Sequence, residues 1–313
     1  MRKIYLAFAS ISVILSLIII GCNKDAVVNS QAPNLNEITL NSPLLSELQN
    51  LNVSIETDFQ KTKALSFKQV CNIATADLTG AYAGGKGGAK VGAYVGTLLG
   101  NPATGAVFGA AVGGLACGAA SSWMASPDTK ASSFDLNYSE FSSLCYSALK
   151  FEENIESDNI ADAINPDQDI LNNTLLDDSS KRIGKLHNIV LASLNGDIQI
   201  ETVNTKASAT DDDIEGAILS SPKMEELCNQ VTRDILDNSS TYDGSISSAV
   251  ISLFNEVYNT CSSNCEDVST IINNYQTIIS TSDELTEEEK SYLSIAFSTA
   301  LYSFNYWENT LAK

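Results

Sequence analysis

Apolar residues recur at three-to-four spacing along almost the whole chain, with no sustained alternation, and this periodicity predicts an all-α fold. Ser42-Pro43 places a capping residue before a proline at the first helical position, and Leu44, Leu45, Leu48 and Leu51 follow on one face. A helix over Pro43 to Asp58 is expected. A second pattern starts near Phe67 and runs without a stop to Asn101-Pro102, where the residue before proline is pushed out of helical geometry. A third helix then covers Thr104 to Met124. Beyond a polar stretch, Phe141, Leu144, Cys145, Ala148 and Phe151 mark one helix, and Ile183, Leu186, Val190, Leu191 and Leu194 another. Ser221-Pro222 repeats the capping signal ahead of Met224, Leu227, Val231 and Ile235. Ile246 to Val257 and Val268 to Ile278 continue the period, and Thr286 with Glu289 has capping-box spacing before Leu293, Phe297, Leu301, Phe304 and Trp307. Between them, Glu156 to Thr174, Asn195 to Asp213 and Asp237 to Ser245 are acidic and rich in Asn and Ser, and read as solvated loops.

Across the second and third helices glycine falls at every fourth position: Gly80, Gly84, Gly88, Gly92, Gly96 and Gly100, then Gly105, Gly109 and Gly113. Each glycine costs a helix about 1 kcal/mol against alanine, so the first six forfeit roughly 5 kcal/mol. Close backbone approach between helices is the gain that can offset this loss. The pattern therefore predicts a helical bundle organised around a glycine-zipper αα-hairpin, with these nine glycines as packing residues. Opposite the row lie Leu78, Tyr82, Lys86, Lys90, Tyr94 and Leu98. Because each four-residue step turns the row by about 40°, a straight partner cannot follow it. The expectation is that the hairpin partner takes the Gly92 to Gly100 end and another helix covers Gly80 to Gly88. The same row could instead pair two copies of the chain. Val91 to Pro127 carries no charge and Thr104 to Met124 is long enough to cross a bilayer, so a packed hairpin and an inserting one both remain open.

The start of the chain places the protein. Met1-Arg2-Lys3 precedes an apolar run from Ile4 to Ile20, which reads as a secretory signal over residues 1–21, with an uncleaved membrane anchor as the alternative. Ile19-Ile20-Gly21-Cys22 resembles a bacterial lipobox, with Ile19 where that motif usually carries Leu. The resemblance implies lipidation of Cys22 and a membrane partner through that lipid. Residues 22–41 then form a tether, 42–127 the first helix and hairpin, and 128–313 an acidic helical domain packed with the hairpin. Charge is divided unevenly. From Cys22 to Lys130 seven basic residues face seven acidic ones, whereas from Ala131 onward nine face thirty-one. The whole chain's net charge of −20 thus comes from that second part, a field that repels nucleic acid and anionic headgroups, and nucleic-acid binding is excluded.

Candidate chemistry is sparse. His187 is the only histidine, no nucleophile motif accompanies it, and it reads as a packing residue; histidine-based zinc sites need more such ligands. Asn165, Asp167 and Asp169 have the alternate spacing of a calcium loop, but Ile170 stands where that loop needs glycine. Asp211-Asp212-Asp213 suits a helix start. Gly84-Gly85-Lys86-Gly87-Gly88 lacks both the spacing and the strand of a phosphate loop. No metal or cofactor is expected, and no catalytic residue is assigned. Of the six cysteines beyond Cys22, Cys261 and Cys265 are the close pair and the expected disulfide, while Cys117 reads as a small apolar residue.

Ala76-Asp77-Leu78-Thr79-Gly80-Ala81, Gly184-Lys185-Leu186-His187-Asn188 and Tyr302-Ser303-Phe304-Asn305-Tyr306-Trp307 together resemble uncharacterised Bacteroidota lipoproteins with a bacteriocin-like glycine segment. That resemblance implies an outer-membrane lipoprotein on the periplasmic or cell-surface side, and no reaction or substrate. The expected function is a non-enzymatic, lipid-anchored envelope protein with an interaction or structural role. The alternative is a membrane-active protein whose hairpin inserts.

Overall fold

The computed structural model describes residues 41–58, 65–126, 137–152, 164–200, 213–237, 243–261 and 264–311. Among them are eleven α-helices and no strand: α1 (Pro43–Asp58), α2 (Leu65–Leu98), α3 (Pro102–Ala125), α4 (Tyr138–Glu152), α5 (Gln168–Asn173), α6 (Asp178–Leu194), α7 (Ile214–Leu219), α8 (Pro222–Leu236), α9 (Ile246–Cys261), α10 (Cys265–Thr281) and α11 (Glu287–Leu311). The leader, Cys22 and the tether up to residue 40 lie outside the described residues. Asn34–Lys313 forms one compact unit, and helices from its acidic part, α6, α8, α9 and α11, pack directly on α2 or α3.

The helix starts follow the local chemistry of the sequence. Ser42 Oγ accepts the Leu45 N–H at 3.1 Å, and Ser221 Oγ accepts that of Lys223 at 3.3 Å. Thr286 and Glu289 form a reciprocal capping box, with bonds of 3.2 and 3.0 Å. One short helix, α5, was not foreseen, and a second, α7, was expected only as a helix start. Asp167 caps α5 by accepting the Asp169 N–H at 2.7 Å, so the calcium-like spacing serves a helix start. Ile164 and Leu171 are buried, which corrects the solvated reading for the end of that segment. Asp213 caps α7 through the Gly216 N–H in the same way.

Along the glycine row, α2 and α3 run antiparallel in a regular register: Gly84 faces Gly113, Gly88 faces Gly109 and Gly92 faces Gly105. In each pair, a Cβ built on either glycine would collide with the other's carbonyl oxygen. The Cα hydrogens therefore point at those carbonyls, the geometry of reciprocal weak Cα–H···O bonds. A Cβ on Gly109 would lie 2.7 Å from Gly92 Cα, and one on Gly113 2.8 Å from Gly88 Cα. Gly80 continues the line, its Cβ position 2.7 Å from the Cys117 carbonyl oxygen.

This register corrects the expectation that another helix covers Gly80 to Gly88. Helix α3 follows the whole row. A repeat longer than 3.6 residues turns right-handed about the helix, and the contact persists because α3 winds with it rather than crossing at one point. The row is occupied within the chain, so no second copy is needed to cover it.

Gly100 is a second correction, because a Cβ there would meet nothing within 4 Å. Its φ is +85°, and it ends α2 rather than packing on a neighbour. Asn101 N–H reaches back to the Gly96 carbonyl at 2.7 Å and Gly100 N–H to that of Thr97 at 3.3 Å, closing a Schellman turn. Asn101 then caps α3 by accepting the Thr104 N–H at 3.2 Å, with Pro102 as the first helical residue. Three consecutive residues thus end one helix, turn the chain and start the next.

A further face of the pair takes α8 and α11. Leu227 of α8 fits against Gly87, and Ile295 of α11 against Gly114, its Cγ2 2.7 Å from where a Cβ would stand. On the other side of α11, Phe254, Tyr258, Tyr275, Phe297 and Phe304 form a continuous aromatic cluster, with Phe254 and Phe297 centroids 4.5 Å apart.

Candidate functional site

Asp77 of α2, Ser122 of α3, His187 and Asn188 of α6, and Ser303 and Trp307 of α11 meet in the interior. Three segments far apart in sequence, those singled out by resemblance, converge on this cluster. The approach of α6 to α11 depends on Gly184, where a Cβ would lie 2.7 Å from Ser298 Oγ and 2.9 Å from Tyr302 Cγ. One turn later, His187 is carried against Asp77.

Asn188 fixes the state of the histidine. Its Nδ2 donates to the carbonyls of Ile164 at 2.8 Å and Tyr302 at 2.7 Å, so its Oδ1 is the atom facing His187 Nδ1 at 3.2 Å. His187 therefore donates from Nδ1, and in the neutral ring the lone pair sits on Nε2, 3.6 Å from Asp77 Oδ2. Ser303 donates to that same carboxyl oxygen, and Trp307 Nε1 donates to Ser122 Oγ at 2.9 Å.

Asp77 and His187 are both fully buried. Burial raises the Asp77 carboxyl well above its ordinary range, against the hydroxyls of Ser303 and Ser122, which pull it down. Burial lowers His187 to about 4, against the opposing bond to Asn188. The separation of 3.6 Å would admit an ion pair, but desolvation opposes both charges and favours the neutral acid and the neutral imidazole. Ser303 donates to the acid and not to the imidazole lone pair, so the serine is not paired with a base. What the arrangement does is bind α2, α3, α6 and α11 through polar contacts that a displaced helix would leave unsatisfied. Asp77, Ser122, Ser303 and Trp307 were not candidate site residues in the sequence, where nothing but an acid within an apolar run marked Asp77.

The other end of the hairpin is open. Tyr94 is 45%, Leu98 70% and Val107 71% exposed, three of the six exposed large hydrophobic residues among those described. Lys223 of α8 places its ammonium 3.6 Å from the centre of the Tyr94 ring, and Lys90 is exposed beside it in the row. Further down, Lys86 pairs with Asp243 at 2.5 Å. Burial alone would raise Asp243, yet the Lys86 ammonium and the Ser245 hydroxyl hold it well below its ordinary value. A cleft of about 180 Å³ opens between α3, α6 and α11, lined by Val107, Phe108, Ile183 and Ile295 with Asp177, Arg182 and Glu215.

Cys265 is a free, buried thiol whose Sγ lies 3.8 Å from the Leu301 carbonyl oxygen. Cys265 faces inward from the first turn of α10, away from solvent; the side chain of Cys261, its partner in the expected disulfide, lies outside the described residues. No group of three or more His, Cys, Asp or Glu side chains stands close enough to hold a metal ion among the described residues. Comparison with protein-family models, with curated proteins and with solved structures finds no match to this chain.

Proposed function

We propose that the protein is a non-enzymatic, lipid-anchored component of the outer envelope, held by Cys22, that works by contact, and that its contact surface is the open end of the α2–α3 hairpin. The observation that carries this reading is the exposure of Tyr94, Leu98 and Val107 on a segment without charge from Val91 to Pro127. Exposed apolar residues gathered at one end of a chain this acidic suit an interfacial partner. Lys90 and Lys223 at the base of that end suit the headgroup level of a bilayer, where cations rest above buried apolar side chains.

A second reading, insertion of the hairpin, is favoured by one observation: Pro102–Ala125 is long and apolar enough to cross a membrane. Against it, 67% of that window is buried against the rest of the fold. Vesicle flotation with dye release separates the two. The chain from Cys22 onward carrying Cys22→Ser is expected to float with zwitterionic vesicles and leave an entrapped dye inside. Leakage at that lipid concentration would favour insertion, and failure to float would sink the contact reading. Incorporation of labelled fatty acid into the unaltered chain, lost on Cys22→Ser, tests the anchor separately.

A further inference from the structure

Three buried thiols come together where α8 crosses the hairpin: Cys117 of α3, Cys145 of α4 and Cys228 of α8. Cys117 Sγ and Cys228 Sγ stand 2.9 Å apart, and Cys117 has no exposure at all. Non-bonded atoms rest at about 3.5–4.0 Å, whereas a disulfide closes to about 2.04 Å. The two sulfurs are thus already inside contact distance and point at each other, and closing the bond needs a shift of about 0.9 Å. Leu227, next to Cys228, is seated on Gly87, which holds α8 against α2 beside the thiol.

From this juxtaposition we infer that Cys117 and Cys228 form a disulfide that staples α8 to the hairpin, with Cys145 left as a thiol. In the reaction each cysteine gives up one proton and one electron. The oxidant is an exchangeable disulfide, protein-borne or glutathione. A thiolate of the pair attacks it to make a mixed disulfide, and the second thiolate displaces the leaving thiol, so that one disulfide is formed and one is reduced. The acceptor, once the bond is closed, is two thiols. Burial, with the Cys228 sulfur next, pushes the Cys117 thiol well up, which disfavours the attacking thiolate inside the finished fold. The exchange therefore belongs to folding, before α8 settles on α3.

The link would close a loop of over a hundred residues, and long loops gain most from closure. It would also fix the helix that carries Lys223 onto Tyr94, at the open end of the hairpin. This inference does not depend on the lipid anchor or on membrane contact.

Refolding of the reduced Cys22-to-Lys313 chain, carrying Cys22→Ser, in a glutathione buffer of mildly oxidising poise provides the test. The residual thiols are blocked in denaturant and the chain is cut with trypsin. The expected product joins the peptide Val91–Lys130 to Met224–Arg233, disappears on reduction, and leaves Cys145 blocked. A reductant should lower the melting temperature of this chain by roughly 10 °C and leave that of a Cys117→Ala/Cys228→Ala chain unchanged. Blocked Cys117 and Cys228 after refolding, or Cys228 joined to Cys145, would overturn the assignment.

Discussion

Two neighbouring glycines of α2 are expected to respond to alanine with opposite signs. A Cβ on Gly88 would lie 2.9 Å from Gly113 Cα and 3.1 Å from the Gly109 carbonyl carbon, both backbone atoms that cannot swing aside. On Gly85, three residues earlier, the nearest atom would be the Ala110 carbonyl oxygen at 3.6 Å, an ordinary contact. Either substitution gains about 1 kcal/mol of helix preference. At Gly88 that gain is set against overpacking of about 1–3 kcal/mol and against weak Cα–H···O bonds of about 0.5–1 kcal/mol each, which lengthen together as the helices part. The net loss is about 2–3 kcal/mol for Gly88→Ala. For a domain of this size the melting temperature should fall by roughly 5–10 °C, and for Gly85→Ala it should rise by roughly 2 °C. Thermal unfolding followed by the far-ultraviolet helix signal reads both. A rise for Gly88→Ala, or shifts of the same sign in the two variants, would refute the backbone contact between α2 and α3.

Protonation of the interior cluster gives further tests. His187 is lowered to about 4 from an ordinary value near 6.5, so its neutral fold is favoured above pH 6.5 and is lost as pH falls towards 4, by about 3 kcal/mol in all. Urea unfolding should show that slope in the native chain and a shallower one in His187→Gln; equal slopes would remove His187 as its source. Asp77 is shifted the other way, so its contribution is fully present below its unfolded value of about 3.9 and declines as pH rises above it. Asp77→Asn should therefore be at least as stable as the native chain at pH 7, and a loss of several kcal/mol there would mean that Asp77 and His187 are a charged pair after all. Gly184→Ala forces Tyr302 and Ser298 off α6 and should cost about 1–3 kcal/mol by the same unfolding assay, with no loss meaning that α6 and α11 are less close than described. At the open end, Leu98→Ser and Val107→Ser should change stability by no more than about 0.5 kcal/mol, and a larger loss would show that these side chains are covered.

The helices were legible because their periods and caps are local. Pro43, Asp58, Asn101-Pro102 and Thr286–Glu289 mark boundaries through chemistry carried by adjacent residues, and the structure uses each of them. Helices α5 and α7 have six residues each, too short for a period to appear, and only their capping aspartates signalled them. The glycine row announced close packing but not its extent, since the winding of α3 about α2 is a property of the pair. Gly100 kept the four-residue spacing by coincidence with its turn, and only a positive φ separates it from the others. The interior cluster was hidden for a different reason. Asp77, His187 and Ser303 lie on three helices whose order along the chain says nothing of their adjacency, and the same holds for Cys117 and Cys228. The close sequence pair, Cys261 and Cys265, drew the disulfide expectation, because only spacing along the chain is visible there.

The contact proposed for the open end of the hairpin is most directly tested by the depth of one side chain. Tryptophan placed at the exposed Val107 reports quenching by lipids brominated at chosen positions along the acyl chain, and the native Trp123 and Trp307 give the background. In the lipidated chain on zwitterionic vesicles, Val107→Trp is predicted to be quenched above that background by lipids brominated near the headgroup, and less by those brominated near the chain ends. Quenching no greater than that of the native chain would contradict contact with the bilayer.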